Sequence, residues 1–175
     1  SVVKELIENS LDAGATSLQV IIKDGGKDLI QVVDDGYGMD ERDAVLSFLR
    51  HATSKIATYE ELEEIRTYGF RGEALASIAA VAQVTMKTRR EDDEMAVVVK
   101  IAGGGEAEIS RDARPRGTTV AVQNLFFNVP ARRKFLKSTN TEFRHIYDVV
   151  QRTAIARPDL SMEFVSDGET VLKLK

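Results

Sequence analysis

The chain contains no cysteine, so disulfides and thiolate metal sites are both excluded. Its only histidines, His51 and His145, lie far apart in sequence, which argues against a zinc centre. No apolar run approaches the length of a membrane span, and no signal peptide is visible. There is no excess of positive charge: the formal net charge is -4, so the domain as a whole is not built to attract nucleic acid. No low-complexity tract, internal repeat or G-x-S-x-G nucleophile turn is present. Nothing fits the phosphate loop G-x-x-x-x-G-K-[ST] either. The nearest piece, Gly25-Gly26-Lys27-Asp28, lacks the upstream glycine and the hydroxyl residue. A nucleotide, if used, must be held by another route.

What is present fits one cytoplasmic-type globular domain. At 175 residues, with 43% hydrophobic and 30% charged residues, the chain can bury a substantial core. Residues 2–12 place Val2, Val3, Leu6, Ile7 and Leu11 on one helical arc, and Gly14 follows as a stop signal. Residues 17–23 and 29–33 alternate around the turn at 24–28, which predicts a hairpin. Asp40 caps a predicted helix over 41–50, and a further apolar helix is expected near 73–82. Strands are predicted near 84–90, 96–101, 106–111 and 118–124. A short basic helix from Pro130 and a longer one near 141–156 follow, then strands near 161–166 and 170–175. The intermixed elements and the early hairpin point to an α+β, two-layer sandwich: a mixed, mostly antiparallel sheet with helices on one face.

Several short segments could carry chemistry, and each also has a plain structural reading. Glu5 and Asn9 stack four apart on the first helix, as a carboxylate able to activate water and an amide oxygen suited to magnesium. They would equally serve as a solvated face with Lys4, Glu8 and Asp12. Asp34-Asp35-Gly36-Tyr37-Gly38 follows an apolar strand, where an acid can accept from an exocyclic amine and glycines admit a flat ring; it is also ordinary turn chemistry. Gly69-Phe70-Arg71-Gly72 opens a helix as a phosphate cradle would, or is a plain glycine turn. Thr53-Ser54-Lys55 suits a lid over phosphates or a surface loop, and Gly117-Thr118-Thr119 begins a strand. Arg132-Arg133-Lys134 with Lys137 could touch a DNA backbone, but a solvated helix face is the favoured reading. His51 is read as structural.

In combination these segments resemble the N-terminal ATPase domain of the MutL mismatch-repair family. That family belongs to the GHKL group with the gyrase B subunit, the heat-shock chaperone ATPases and the histidine kinases. The matching stretches are SVVKELIENSLDAGAT at 1–16, DDGYGM at 34–39, RHATSKI at 50–56, GFRGEALASI at 69–78 and GTTVAVQNLFFNVPARRKFLK at 117–137. The resemblance implies the Bergerat ATPase fold and ATP with Mg²⁺ as cofactors. Glu5 would be the general base, Asn9 the metal ligand, and Asp34, Gly38 and Thr118 the adenine pocket. Thr53, Ser54 and Lys55 would form the lid, and Gly69, Arg71 and Gly72 would hold phosphates.

As a whole, the resemblance implies slow ATP hydrolysis that drives lid closure and self-association of the N-terminal domains, coupling a MutS-type mismatch-recognition protein to strand removal by an endonuclease or helicase. DNA is a partner of the intact protein, no membrane is involved, and the setting is the bacterial cytoplasm beside the nucleoid. Residues 1–175 are expected to be one such domain, truncated at both ends and weakly active or inactive in isolation. The preceding family segment, the second N-terminal subdomain and the C-terminal region are expected to be missing. A topoisomerase subunit, a histidine kinase and a non-catalytic nucleotide-binding module are the alternatives.

Overall fold

The computed structural model describes residues 1–49 and 74–175. Helix α1 spans Val2–Asp12 and buries Val2, Val3, Leu6 and Ile7. It starts where the Ser1 hydroxyl accepts the Lys4 N–H at 3.2 Å and stops where Gly14 takes a left-handed φ of 74°. Strands β1 (Ser17–Lys23) and β2 (Leu29–Asp34) form the expected hairpin, with Leu18 opposite Asp34 and Lys23 opposite Leu29. Helix α2 (Glu41–Leu49) begins where the Asp40 carboxylate accepts the Asp43 N–H at 2.8 Å, a side-chain cap that satisfies one otherwise orphaned donor.

Beyond the second described boundary come α3 (Ala74–Val81), β3 (Gln83–Arg89), β4 (Ala96–Ala102), β5 (Glu108–Asp112) and β6 (Gly117–Gln123). Helices α4 (Pro130–Lys134) and α5 (Thr139–Ala156) follow, then β7 (Ser161–Ser166) and β8 (Glu169–Leu174). Helix α5 starts two residues earlier than the sequence pattern predicts. Ser138 caps it, accepting the Thr141 N–H at 3.3 Å, so the polar Thr139 and Asn140 join its first turn.

The strands make one sheet in the order β5-β4-β3-β6-β2-β1-β7-β8. Among the described strands, only the β1–β7 pair is parallel. The expected α+β sandwich is therefore present. Alternation decides which face is covered: Val20 and Ile22, Ile30 and Val32, Val84 and Met86, Val120 and Val122, and Met162 and Phe164 are all buried under helices. Each such side chain contributes about 1.5–3 kcal/mol of burial. Phe143 on α5 stacks on Phe164 with ring centroids 5.8 Å apart, locking α5 to β7.

Candidate nucleotide site

The apolar rows of the covered face change character at one end of the sheet. Asp34, Thr118 and Thr88 occupy the next inward-facing positions of β2, β6 and β3. Register makes them neighbours: Asp34 pairs with Thr118, and Thr118 pairs with Thr88. All three are buried, Asp34 at 6% exposure and Thr88 at 0%. Buried polar groups need partners, because an unmatched one costs about 1–3 kcal/mol. Here they supply each other. Asp34 Oδ1 accepts the N–H of Gly36 at 2.9 Å and that of Thr118 at 3.1 Å, while Oδ2 accepts the Ser10 hydroxyl at 2.6 Å. The Thr88 and Thr118 hydroxyls lie 2.8 Å apart, and Thr88 also accepts the Met39 N–H at 2.9 Å.

Sequence reasoning placed Asp34 in a loop; it is the last residue of β2, so the sheet itself fixes its position. Ser10 and Thr88 escaped that reasoning. Their signal was a polar residue at a position the surrounding periodicity makes apolar, Ser10 beside the Leu6 and Ile7 stripe and Thr88 after Val84 and Met86.

The row opens onto a cleft of about 640 Å³ between the sheet end, α1 and α2. Asp34, Thr118, Gly38 and Asn9 all line it. Gly38 has φ 72°, and a Cβ there would collide with the Arg89 carbonyl, so only glycine fits this wall. The expectation that Glu5 and Asn9 stack on one face of the first helix divides in burial. Asn9 is exposed in the cleft, whereas Glu5 is buried at 2%. Among the described residues no cluster of three or more acidic, histidine or cysteine side chains could hold a metal unaided. Asn9 fits a different kind of site, since magnesium keeps waters and takes one or two protein oxygens beside phosphate.

The loop after β2 is held from several sides. Asp35 accepts the Thr16 hydroxyl at 2.6 Å and the N–H groups of Thr16 and Ser17 at 2.8 and 3.0 Å. Burial alone would raise its pKa, but these hydrogen bonds outweigh it and hold Asp35 below the ordinary carboxylate value. Arg114 donates to the Asp34 carbonyl at 3.0 Å, and Arg116 donates to the Gly36 carbonyl at 3.0 Å. Burial draws the Arg114 guanidinium below its usual value, and the charge of Asp34 opposes this.

Thr53, Ser54, Lys55, Gly69, Arg71 and Gly72 lie outside the described residues, as does His51. The basic run differs from its expected solvated face. Arg133 donates to the Leu125 carbonyl at 2.9 Å and Arg132 sits 5.6 Å over the Phe126 ring, while Lys134 remains exposed.

Residues 1–111 match the family described as histidine kinase-, DNA gyrase B- and HSP90-like ATPases. The chain belongs to that family of ATPases. Within it, the chain is similar to MutL. It is 53% identical over 171 residues to the DNA mismatch repair protein MutL of Chloroherpeton thalassium, covering 98% of this chain and 27% of that protein. It is likewise 53% identical over 174 residues to MutL of Parabacteroides distasonis, covering 99% of this chain and 28% of the relative. The chain thus spans little more than a quarter of the length of these curated relatives. Among solved structures it resembles the Aquifex aeolicus MutL ATPase domain complexed with ADP. The TM-score is 0.80 at 34% identity, covering 99% of this chain and 62% of that one.

Proposed function

We propose that residues 1–175 form one ATP-binding and hydrolysing domain of a MutL-type DNA mismatch-repair protein. The observation that carries this reading is the row Asp34–Thr118–Thr88 at the rim of the cleft. Asp34 Oδ2 accepts one hydrogen bond, from Ser10, and has capacity for a second from an exocyclic amine such as adenine N6. Thr118 and Gly38 complete the base pocket. Similarity to a MutL ATPase domain complexed with ADP supports the same assignment.

Toward the phosphates, Asn9 presents a neutral amide oxygen suited to Mg²⁺. When bound, the metal ion supplies charge neutralisation across the phosphate oxygens. Glu5, one helical turn before Asn9, would orient water and accept its proton as it attacks the γ-phosphate. Thr53, Ser54 and Lys55 would serve as the lid, and Gly69, Arg71 and Gly72 as the phosphate cradle. In the whole protein, ATP would order the lid and draw two such domains together. A MutS-type mismatch-recognition partner would act upstream, and strand removal on DNA downstream. The setting would be the bacterial cytoplasm at the nucleoid; among the described residues no helix is long and apolar enough to cross a membrane.

Incubation with γ-labelled ATP and Mg²⁺ tests the reaction class. With the intact protein, free phosphate is expected, released more slowly in Glu5→Ala. Label retained on a histidine would overturn the hydrolytic reading in favour of a phosphotransferase.

A further inference from the structure

We infer that Arg114 and Arg116 are positioning residues for base discrimination, acting on Asp34 through the backbone of the loop that follows β2. The inference rests on the proposed adenine pocket and extends it to the β5–β6 connection at 113–116.

Two guanidinium groups from one short connection grip two alternate carbonyls, that of Asp34 at the end of β2 and that of Gly36 in the loop beyond. Arg114 reaches the Asp34 carbonyl through Nη2 at 3.0 Å, its own connection through Nη1 to the Pro115 carbonyl at 2.8 Å, and β6 through Nε to the Thr119 hydroxyl at 3.2 Å. Arg116 donates through Nε to the Gly36 carbonyl at 3.0 Å, and its guanidinium carbon sits 5.4 Å from the Tyr37 ring centroid. Tyr37 in turn donates its N–H to the Ala13 carbonyl at 2.8 Å, so the grip extends to the end of α1. Gly117 adjoins the same point: a Cβ there would strike the Asp34 carbonyl oxygen.

The consequence is geometric. The Asp34 carbonyl and the Gly36 carbonyl bracket the short segment whose Gly36 N–H bonds Asp34 Oδ1. Holding both carbonyls holds the Gly36 N–H between them, which with the Thr118 N–H and the Ser10 hydroxyl is one of three donors that orient the Asp34 carboxylate and so the lone pair left for a ligand. A rigid planar fork suits this task, because it loses less freedom per hydrogen bond than an ammonium does. Neither arginine lines the cleft beside Asn9 and Gly38, so neither is a ligand contact there. Their effect is therefore on the ratio between bases rather than on phosphate binding.

The test compares ADP with inosine diphosphate, which lacks the exocyclic amine, by calorimetric titration of the chain with Mg²⁺. The variants are Asp34→Asn, Arg114→Gln/Arg116→Gln, and Arg114→Lys/Arg116→Lys, each with its melting temperature. The wild type should prefer ADP. The glutamine pair should lose about tenfold of that preference, the scale of one charge-assisted hydrogen bond, while inosine diphosphate binding stays near wild type. The lysine pair should fall between. An unchanged ratio in the glutamine pair, with Asp34→Asn collapsing it, would overturn this inference and leave the adenine pocket standing. An unchanged ratio in Asp34→Asn would overturn the pocket assignment and this inference with it. If the glutamine pair does not fold, the lysine pair decides: a ratio equal to wild type would overturn the inference, and a reduced one in a folded protein would uphold it.

Discussion

The two ends of the cleft are built on different principles. At the base end, Asp34, Thr118 and Thr88 stand on three adjacent strands and bond one another or nearby backbone. At the other end, Asn9 of α1 is exposed in the cleft, while Glu5, one turn earlier on the same helix, is buried beneath it. Telling one base from another requires polar groups aimed before the ligand arrives, since a wrong ligand then leaves a buried partner unmatched. Holding a hydrated metal calls for an open, reachable surface. In the function proposed above, the sheet end would supply the first and Asn9 on α1 the second.

That contrast can be broken from either side. The largest effect is expected from Glu5→Gln, which in the intact protein should lower ATP turnover by about a hundredfold or more yet leave ADP affinity near wild type. Parallel phosphate-release and titration experiments check the split, and equal loss of both would merge the two ends into one unit. Next comes Gly38→Ala. Its Cβ meets the Arg89 carbonyl at a left-handed backbone position, so a cost of about 2 kcal/mol or more is expected. Urea denaturation would read it, and ADP binding should fall with it.

Smaller is Thr88→Val, which keeps shape but leaves the Met39 N–H and the Thr118 hydroxyl short of a partner. About 1–2 kcal/mol of stability should go, and Thr88→Ser should recover part of it. Smallest is Asp35→Asn. Because the folded pKa of Asp35 is depressed, its contribution is present above the unfolded value near 3.9 and disappears as pH falls through the lower folded value. Asp35 is exposed, so solvent screening keeps the effect to about 1 kcal/mol or less. Melting curves of wild type and variant should differ at pH 7 and converge in acid; a constant gap would remove the ionic explanation.

Much of this was legible in the sequence, for local reasons. The stripe of α1, the β1–β2 alternation and the glycine turns are short-range patterns, and they place those elements almost to the residue. Asp34 and Asn9 were legible as residue types in a plausible setting. The order of the sheet was not, because β1 pairs in parallel with β7, far along the chain, and no local pattern encodes a partner. Arg114 and Arg116 were missed for the same cause: in sequence they are two charges near a proline, and their carbonyl partners come from the end of β2 and the loop after it. Ser10 and Thr88 were within reach, since each interrupts an apolar periodicity at a buried position. An interruption of that kind marks a polar group the fold must satisfy, and here both serve Asp34 or Thr118.

Asp34 and the strand ends around it form the proposed base site. Titration of the chain with ADP and Mg²⁺ beside Asp34→Asn tests it most directly. Saturable binding is expected in the wild type, weakened about tenfold or more in a variant that melts near the wild-type temperature. ADP bound equally well by the folded Asp34→Asn variant would contradict it.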